Sequence, residues 1–108
     1  MNKDTEKKVV ELQTIEQNLQ SIIMQKQQFQ SQSAETENAL REVKETKDKV
    51  YKVIGNTMIS VEKSKVEKDL SSKKEIFDLR IKNIEKQEKQ LKEKFEALQS
   101  EVLKNIKK

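Results

Sequence analysis

The sequence predicts a mostly α-helical fold: a long antiparallel two-helix coiled coil with one β-hairpin at the helix junction. Three observations support this prediction. Of the 108 residues, 39% are charged and only 32% hydrophobic, which suits long helices better than a compact globule. Apolar residues recur every three or four positions in two long segments. Between these segments, residues 50–61 change to the two-residue period of β-strands.

The first helix is predicted over residues 4–49. Its apolar positions form a heptad seam with polar interruptions. No Gly or Pro precedes position 55, so nothing in the sequence breaks the helix. The seam positions are Leu12, Ile15, Leu19, Ile22, Lys26, Phe29, Ser33, Thr36, Leu40, Val43, Lys47 and Val50.

A β-hairpin is predicted over residues 50–61, with its turn at Gly55-Asn56. Gly at the first central position suits a two-residue turn that requires positive φ, and this is the only Gly in the chain. The alternative is an apolar loop between helices. Because an isolated hairpin is marginally stable, we expect its edges to pair with other chains. The candidate assembly residues are Val50, Tyr51, Val53, Ile54, Gly55, Asn56, Met58, Ile59 and Val61.

The second helix is predicted over residues 64–106, which makes residues 1–108 a single domain. Ser64 and Glu67 have the spacing of a capping box, which predicts the helix start. The apolar steps then resume in a second seam. Its positions are Leu70, Lys74, Phe77, Ile81, Ile84, Glu88, Leu91, Phe95, Leu98, Val102 and Ile106.

Two polar interruptions fall at the same predicted level of the coiled coil. If the first helix ends near Lys49 and the second begins near Ser64, the numbers of two facing residues sum to about 113 to 115. Lys26 and Glu88 meet this condition. Burying two opposite charges at the same level of the coiled coil costs less free energy than burying either charge without its partner. We therefore predict that Lys26 and Glu88 form an ion pair that fixes the register of the two helices.

The two chain ends are expected to meet at the far end of this arm, where the apolar residues exceed what one seam can bury. Val10 and Leu103 fall outside the heptad positions. Exposed apolar side chains at a helix end indicate an interaction surface, although frayed ends with incidental apolar residues are the alternative. The candidates are Val9, Val10, Leu12, Ile15, Leu98, Val102, Leu103 and Ile106.

The composition argues against enzyme chemistry. The chain has no Cys and no His, so it offers no thiolate, no imidazole base and no soft metal ligand, and we expect no catalytic residue, cofactor or metal site. Neither end carries the apolar run of a signal peptide, and no stretch approaches the ~20 apolar residues that span a bilayer. We therefore expect a cytoplasmic protein without a membrane partner.

The net charge of +4 leaves a nucleic-acid partner open as a lesser alternative. Residues 1–50 have a net charge of −1 and residues 51–108 of +5. The basic excess is interleaved with Glu rather than clustered, and aromatic stacking residues are few. A solvated coiled-coil face explains this pattern better, so no nucleic acid is expected.

Several segments of the sequence resemble those of the β-class subunit of prefoldin. The resemblance lies in the run VYKVIGNTMISV at residues 50–61, in the Leu70 helix that follows it, and in IEKQEKQL at residues 84–91. It covers nearly the whole chain as helix, hairpin and helix. The hairpin element is the more specific part, because the helices alone would match many coiled coils. One hairpin rather than two separates the chain from the α-class subunit.

The resemblance implies a hexamer of two α-class and four β-class subunits, whose hairpins join into intersubunit β-barrels. It further implies an ATP-independent molecular chaperone that captures unfolded client proteins at the apolar tips of the coiled coils. Clients would then be delivered to a group II chaperonin. The main rival is a structural coiled-coil tether or scaffold subunit, which would need no free apolar tip.

Overall fold

The computed structural model describes residues 2–107, and Met1 and Lys108, at the ends of the predicted domain 1–108, lie outside the described residues. The elements follow in the order α1 (Lys3–Glu45), β1 (Val50–Ile54), β2 (Thr57–Val61) and α2 (Lys63–Lys107). Two long helices therefore flank one antiparallel hairpin. The predicted fold class is confirmed.

Helix α1 begins at Lys3 because Asn2 caps it. The Thr5 amide donates to Asn2 Oδ1 at 2.8 Å, and the Glu6 amide donates to the Asn2 carbonyl at 3.1 Å. A side-chain oxygen at this position satisfies an amide that has no partner inside the helix. Asp4 and Glu6 add negative charge to the first turn, which the helix dipole favours.

Helix α1 ends at Glu45, so the predicted end at Lys49 is wrong. The Asp48 amide donates to Thr46 Oγ1 at 3.3 Å, which gives the backbone a local alternative to the next helical bond. In addition, Lys63 Nζ donates to the carbonyls of Lys44 at 3.1 Å and Thr46 at 2.9 Å. These bonds satisfy carbonyls at the helix end, and the ammonium complements the negative end of the dipole.

The hairpin joins two five-residue strands through a two-residue turn. Val50 pairs with Val61 at the open end, and Ile54 pairs with Thr57 beside the turn. Gly55 has φ of +59°, the conformation that the sequence predicts at this position. Asn56 has negative φ, so the turn has the type II′ pattern.

Helix α2 begins at Lys63, one residue before the predicted start. The Val66 amide donates to the Glu62 carbonyl at 3.1 Å, which makes Glu62 the residue that flanks the helix. Ser64 therefore lies inside the first turn and cannot cap it, so the predicted capping box is wrong. The Glu62 carbonyl, rather than the Ser64 side chain, therefore marks the start of α2.

The helix seams match the spacing predicted from the sequence. Every predicted seam position from Leu12 to Val43 and from Leu70 to Val102 is buried or half-buried. Lys47 is exposed because it follows the end of α1, and Ile106 is also exposed. The 3.5-residue period alone therefore identifies the packed faces over most of both helices.

The chain divides into two compact units. Among the described residues, the first unit consists of 2–27 and 82–107. Its most buried side chains are those of Thr5, Ile15, Ile84 and Val102, contributed by both helices.

The second unit, Gln28–Ile81, contains the hairpin. The Phe29 and Phe77 rings pack with their centroids 6.3 Å apart, and the Arg80 guanidinium lies 5.5 Å from the Phe29 ring centre. The most buried side chains of this unit are the hydroxyls Ser33 and Thr36. Its seam is thus more polar than that of the first unit.

Candidate functional site: a chain-end surface and an exposed hairpin

The start of α1 and the end of α2 meet within the first unit. Lys8 Nζ lies 3.1 Å from Glu101 Oε2, and Thr5 is almost fully buried although it stands close to the chain start. The Asn2 cap holds the first turn of α1 in place. Side chains near both ends of the chain are therefore brought together, as predicted from the antiparallel arrangement.

Three of the eight predicted tip residues are exposed. Val10 is 59% exposed, Leu103 51% and Ile106 57%, and we call these three side chains the chain-end surface. Val10 and Leu103 are the two residues that fall outside the heptad positions, so the seam cannot bury them. Leu103 and Ile106 are three residues apart on α2 and share one helix face.

The other five candidates are buried or half-buried. Ile15 and Val102 are each only 6% exposed, so they pack between the helices and contribute almost nothing to the surface. Val9, Leu12 and Leu98 are half-buried. Of the eight predicted tip residues, only the three of the chain-end surface are therefore exposed. The buried ones pack the two helices against each other.

The structure brings Lys26 and Glu88 together. Lys26 Nζ donates to Glu88 Oε1 at 3.0 Å, and the two side chains are 23% and 12% exposed. Lys92 Nζ lies 3.9 Å from the other carboxylate oxygen. The hydrogen bond from Lys26 lowers the pKa of Glu88, against the opposing effect of desolvation. That this pair sets the helix register remains a prediction.

A second polar contact crosses the seam in the hairpin-containing unit. Ser33 Oγ donates to Asp78 Oδ1 at 2.7 Å, and Lys74 Nζ donates to Asp78 Oδ2 at 2.8 Å. The hydrogen bond to Asp78 raises the pKa of Lys74. The sequence identifies Ser33 and Lys74 as seam positions but not Asp78, which lies one residue beside the seam.

The hairpin exposes apolar side chains on both faces. Directly paired residues of antiparallel strands share a face, so Tyr51, Val53 and Met58 lie on one side. Ile54 and Ile59 lie on the other side, and all five are exposed. Only Val50 and Val61, at the open end, are half-buried. A hairpin that is apolar on both faces needs a partner on each face.

The hairpin edges are also open. The sheet of the described chain has two strands, so each strand keeps one edge whose backbone groups have no partner in the sheet. Such edges are templates for pairing with strands of other chains. All nine residues that the sequence assigns to assembly lie on these strands or in their turn.

Sequence reasoning missed some exposed surface on α2 and at the base of the hairpin. Ile76 and Leu79 are exposed on α2 although they lie on a helix with a regular seam. Their positions outside the predicted heptad could have identified them. An open cleft beside Val50 depends on the place where α1 ends and leaves no pattern in the sequence.

Metal sites and membrane spans are absent from the part of the chain that the structure describes. No group of three or more acidic side chains is placed to hold a metal ion among residues 2–107. Within the same residues, neither helix has a stretch long and apolar enough to cross a membrane.

Comparison with known protein families finds a match over nearly the whole chain. The family model described as "Prefoldin subunit" matches residues 6–108. The chain is 38% identical over 96 residues to prefoldin subunit beta of Archaeoglobus fulgidus, covering 87% of this chain and 83% of that protein. It is 42% identical over 97 residues to prefoldin subunit beta of Methanospirillum hungatei, covering 88% of this chain and 81% of that protein.

Solved structures agree in fold. The crystal structure of the prefoldin beta subunit from Thermococcus strain KS-1 matches with a TM-score of 0.90 and 28% identity, over 96% of this chain and 93% of that one. The beta2 subunit from the same strain matches with a TM-score of 0.71 and 16% identity, over 82% of this chain and 97% of that one. The second match supports the fold alone.

Proposed function

The chain belongs to the prefoldin family, a family of non-enzymatic chaperone subunits that assemble with α-class partners, and on this basis we propose its specific role. It is an ATP-independent molecular chaperone subunit that captures non-native polypeptides and delivers them to a group II chaperonin in the cytoplasm. The observation that carries this proposal is the chain-end surface, three large apolar side chains left exposed near the start of α1 and the end of α2.

Assembly is the first part of the proposal. The hairpin supplies two open edges and two apolar faces, and pairing with hairpins of neighbouring subunits would cover both. In the proposed hexamer, two α-class and four β-class subunits join their hairpins into β-barrels. Closing strands into a barrel removes unpaired edges and encloses the side chains of the inner face, so a hairpin of this kind exposes apolar residues when it stands alone.

Client capture is the second part. Burying one exposed Val, Leu or Ile contributes about 1–2 kcal/mol when the side chain is already half covered. The three residues of the chain-end surface therefore bind an unfolded chain weakly and reversibly. Several subunits acting on one client make the later contacts intramolecular and raise the overall affinity. Weak contacts at each subunit also release the client without a nucleotide-driven step.

Charged residues border the chain-end surface. Lys7 and Glu11 lie close to Val10 in the chain, and Lys104 follows Leu103. Long basic side chains keep such a surface soluble while their alkyl stems add apolar contact. The surface can thus contact apolar segments of clients while the charged groups beside it stay hydrated.

The test is a double substitution at the chain-end surface, Val10→Ser with Leu103→Ser, in the reconstituted complex. We expect assembly to stay intact, because both residues lie outside the hairpin, and suppression of client aggregation to fall several-fold. The measurement is light scattering of a chemically denatured client after dilution into buffer with the complex. Met24→Ser is the matched control, since Met24 is an exposed apolar residue outside the chain-end surface.

The tether alternative predicts a different result. A structural coiled-coil subunit needs no free apolar surface, so the double variant would suppress aggregation as well as the parent complex. That outcome, or an equal loss in the Met24→Ser control, would remove the client-capture assignment.

A further inference from the structure

An open cleft of about 550 Å³ lies at the base of the hairpin, within the second unit. Its floor is apolar and its rim is charged. The cleft is lined by Ala39, Glu42, Val43, Glu45, Thr46, Lys49 and Val50.

The cleft exists because the chain leaves α1 early. After Glu45 the Thr46 side chain and the Lys63 ammonium stop the helix, and residues 46–49 turn toward the first strand. Ala39, Val43 and Val50 are left half-buried around an open space. Apolar side chains that border a cleft of this size are typical of a site that receives another molecule.

The cleft is continuous with one edge of the hairpin. Val50 is both a cleft residue and the first residue of β1, so a strand that pairs along β1 runs toward the cleft. The end of β2 is different, because Glu62 leads directly to Lys63, whose side chain is bonded to the end of α1. The two sides of the hairpin base therefore offer different surfaces to neighbours.

The strand edge alone is a short interface. Five residues at about 3.4 Å each give an edge of about 17 Å, whereas a specific interface buries roughly 800 Å² on each partner. A neighbouring subunit paired with β1 gains further contact area if one of its side chains enters the cleft. The apolar floor of Ala39, Val43 and Val50 selects an aliphatic or aromatic side chain.

The charged residues that line the cleft indicate which kind of residue lies beside the entering apolar side chain. Glu42 and Glu45 are exposed near the end of α1, and only Lys49 opposes them in the cleft lining. A basic residue next to the entering apolar one is therefore favoured. The hairpin of this chain carries such a pair on one face of β1, because Lys52 and Ile54 are two residues apart, so a strand of the same class carries suitable side chains.

We propose that this cleft receives an apolar side chain from the hairpin of the neighbouring prefoldin subunit, so that the assembly contact extends from the β1 edge onto the last turns of α1. The proposal rests on the assembly described under the proposed function. It assigns an intersubunit role to Ala39 and Val43, which belong to a helix rather than to the hairpin.

Site-specific crosslinking tests the occupant. The chain has no cysteine, so the variant Ala39→Cys can be labelled at that position alone with a benzophenone maleimide before reconstitution with the α-class partner. Ala34→Cys is the matched control, because Ala34 is exposed on the same helix and does not line the cleft. We expect the label at position 39 to crosslink to hairpin peptides of a neighbouring subunit at least tenfold more than the label at position 34, as identified by mass spectrometry.

A second pair of variants tests the contribution to assembly. Ala39→Trp fills the cleft, and we expect it to weaken subunit association at least tenfold by native mass spectrometry at falling concentration. Ala34→Trp should leave association unchanged. Circular dichroism of the isolated variants checks that both keep the helices of the parent chain.

The outcomes separate this inference from the proposed function. Three results in an intact hexamer would overturn the cleft assignment and leave the chaperone proposal standing. These are equal crosslinking from the labels at positions 39 and 34, crosslinking from position 39 to client peptides only, and assembly of Ala39→Trp like the parent. A parent chain that forms no complex with an α-class partner would remove both.

Discussion

The partly buried Lys26–Glu88 pair should couple the two helices more strongly than the exposed Lys8–Glu101 pair of the same unit. Each pair joins α1 to α2 with an N–O distance of 3.0 Å or 3.1 Å, so the geometry is matched. The exposed fractions differ: 23% and 12% for the first pair, and 32% and 58% for the second. Burial reduces solvent screening and should therefore separate the two coupling energies.

The magnitudes follow from these environments. A charge-assisted hydrogen bond contributes about 1.5–3 kcal/mol, and the remaining exposure of Lys26 reduces this to a coupling of about 1–2 kcal/mol. The exposed Lys8–Glu101 pair should couple by less than about 0.5 kcal/mol. Lys26→Met alone should destabilise the chain more than Glu88→Gln, because it leaves a carboxylate that is largely buried with only a distant lysine.

The assay is a double-mutant cycle at each pair. Lys26→Met, Glu88→Gln and their combination are compared with Lys8→Met, Glu101→Gln and their combination, by urea unfolding followed by circular dichroism. Subunit concentration is held fixed, because association shifts apparent stability. Equal coupling energies at the two pairs, or a value near zero at Lys26–Glu88, would refute the argument from burial.

Acid titration gives the same prediction an independent readout. The Lys26 hydrogen bond lowers the pKa of Glu88 in the folded state below its ordinary value of 4.5. Its contribution to the free energy of unfolding is therefore complete above pH 4.5 and is lost as the pH falls through the lower folded-state pKa. The parent should lose stability more steeply than Glu88→Gln in that range, and parallel curves would contradict this.

Three further substitutions should have separable effects. Ser33→Ala removes a 2.7 Å donor from Asp78 and should lower the free energy of unfolding by about 1–2 kcal/mol in urea; no change would mean that water replaces the hydroxyl. Lys63→Met leaves the last carbonyls of α1 without their donor and should cost about 0.5–1 kcal/mol, with faster amide exchange near Thr46 as its local signature. Ile59→Asp should block assembly in native mass spectrometry while the isolated helices persist, whereas a full complex would show that the hairpin is not the assembly element.

The helices and the hairpin could be predicted from the sequence because each depends on short-range pattern. A 3.5-residue apolar period leaves one face to be packed, and the polar interruptions at Lys26 and Glu88 fall where two facing helices can pair them. The single Gly is placed where a two-residue turn requires positive φ. The apolar period and the turn signal need no knowledge of the rest of the chain, whereas the Lys26–Glu88 pair also requires the two helices to face each other.

The remaining features depend on contacts between distant residues. The end of α1 combines the local Thr46–Asp48 bond with a contact from Lys63, a residue 17 positions beyond Thr46 in the chain, and no pattern at residues 45–49 reveals that second contact. Burial divides the tip candidates in a similar way: Ile15 and Val102 pack inside the seam, while Val10 and Leu103 stay exposed. The Asn2 cap is an exception, because an Asn before acidic first-turn residues is a recognisable local signal that the predicted start at residue 4 overlooks.

The most direct test of the central claim is native mass spectrometry of the complex recovered when the tagged chain is purified from its own cells, with the co-purifying chains sequenced. We expect a hetero-hexamer of four copies of this chain with two copies of an α-class subunit that carries two hairpins. A homodimer, or a complex held together by nucleic acid, would contradict the claim.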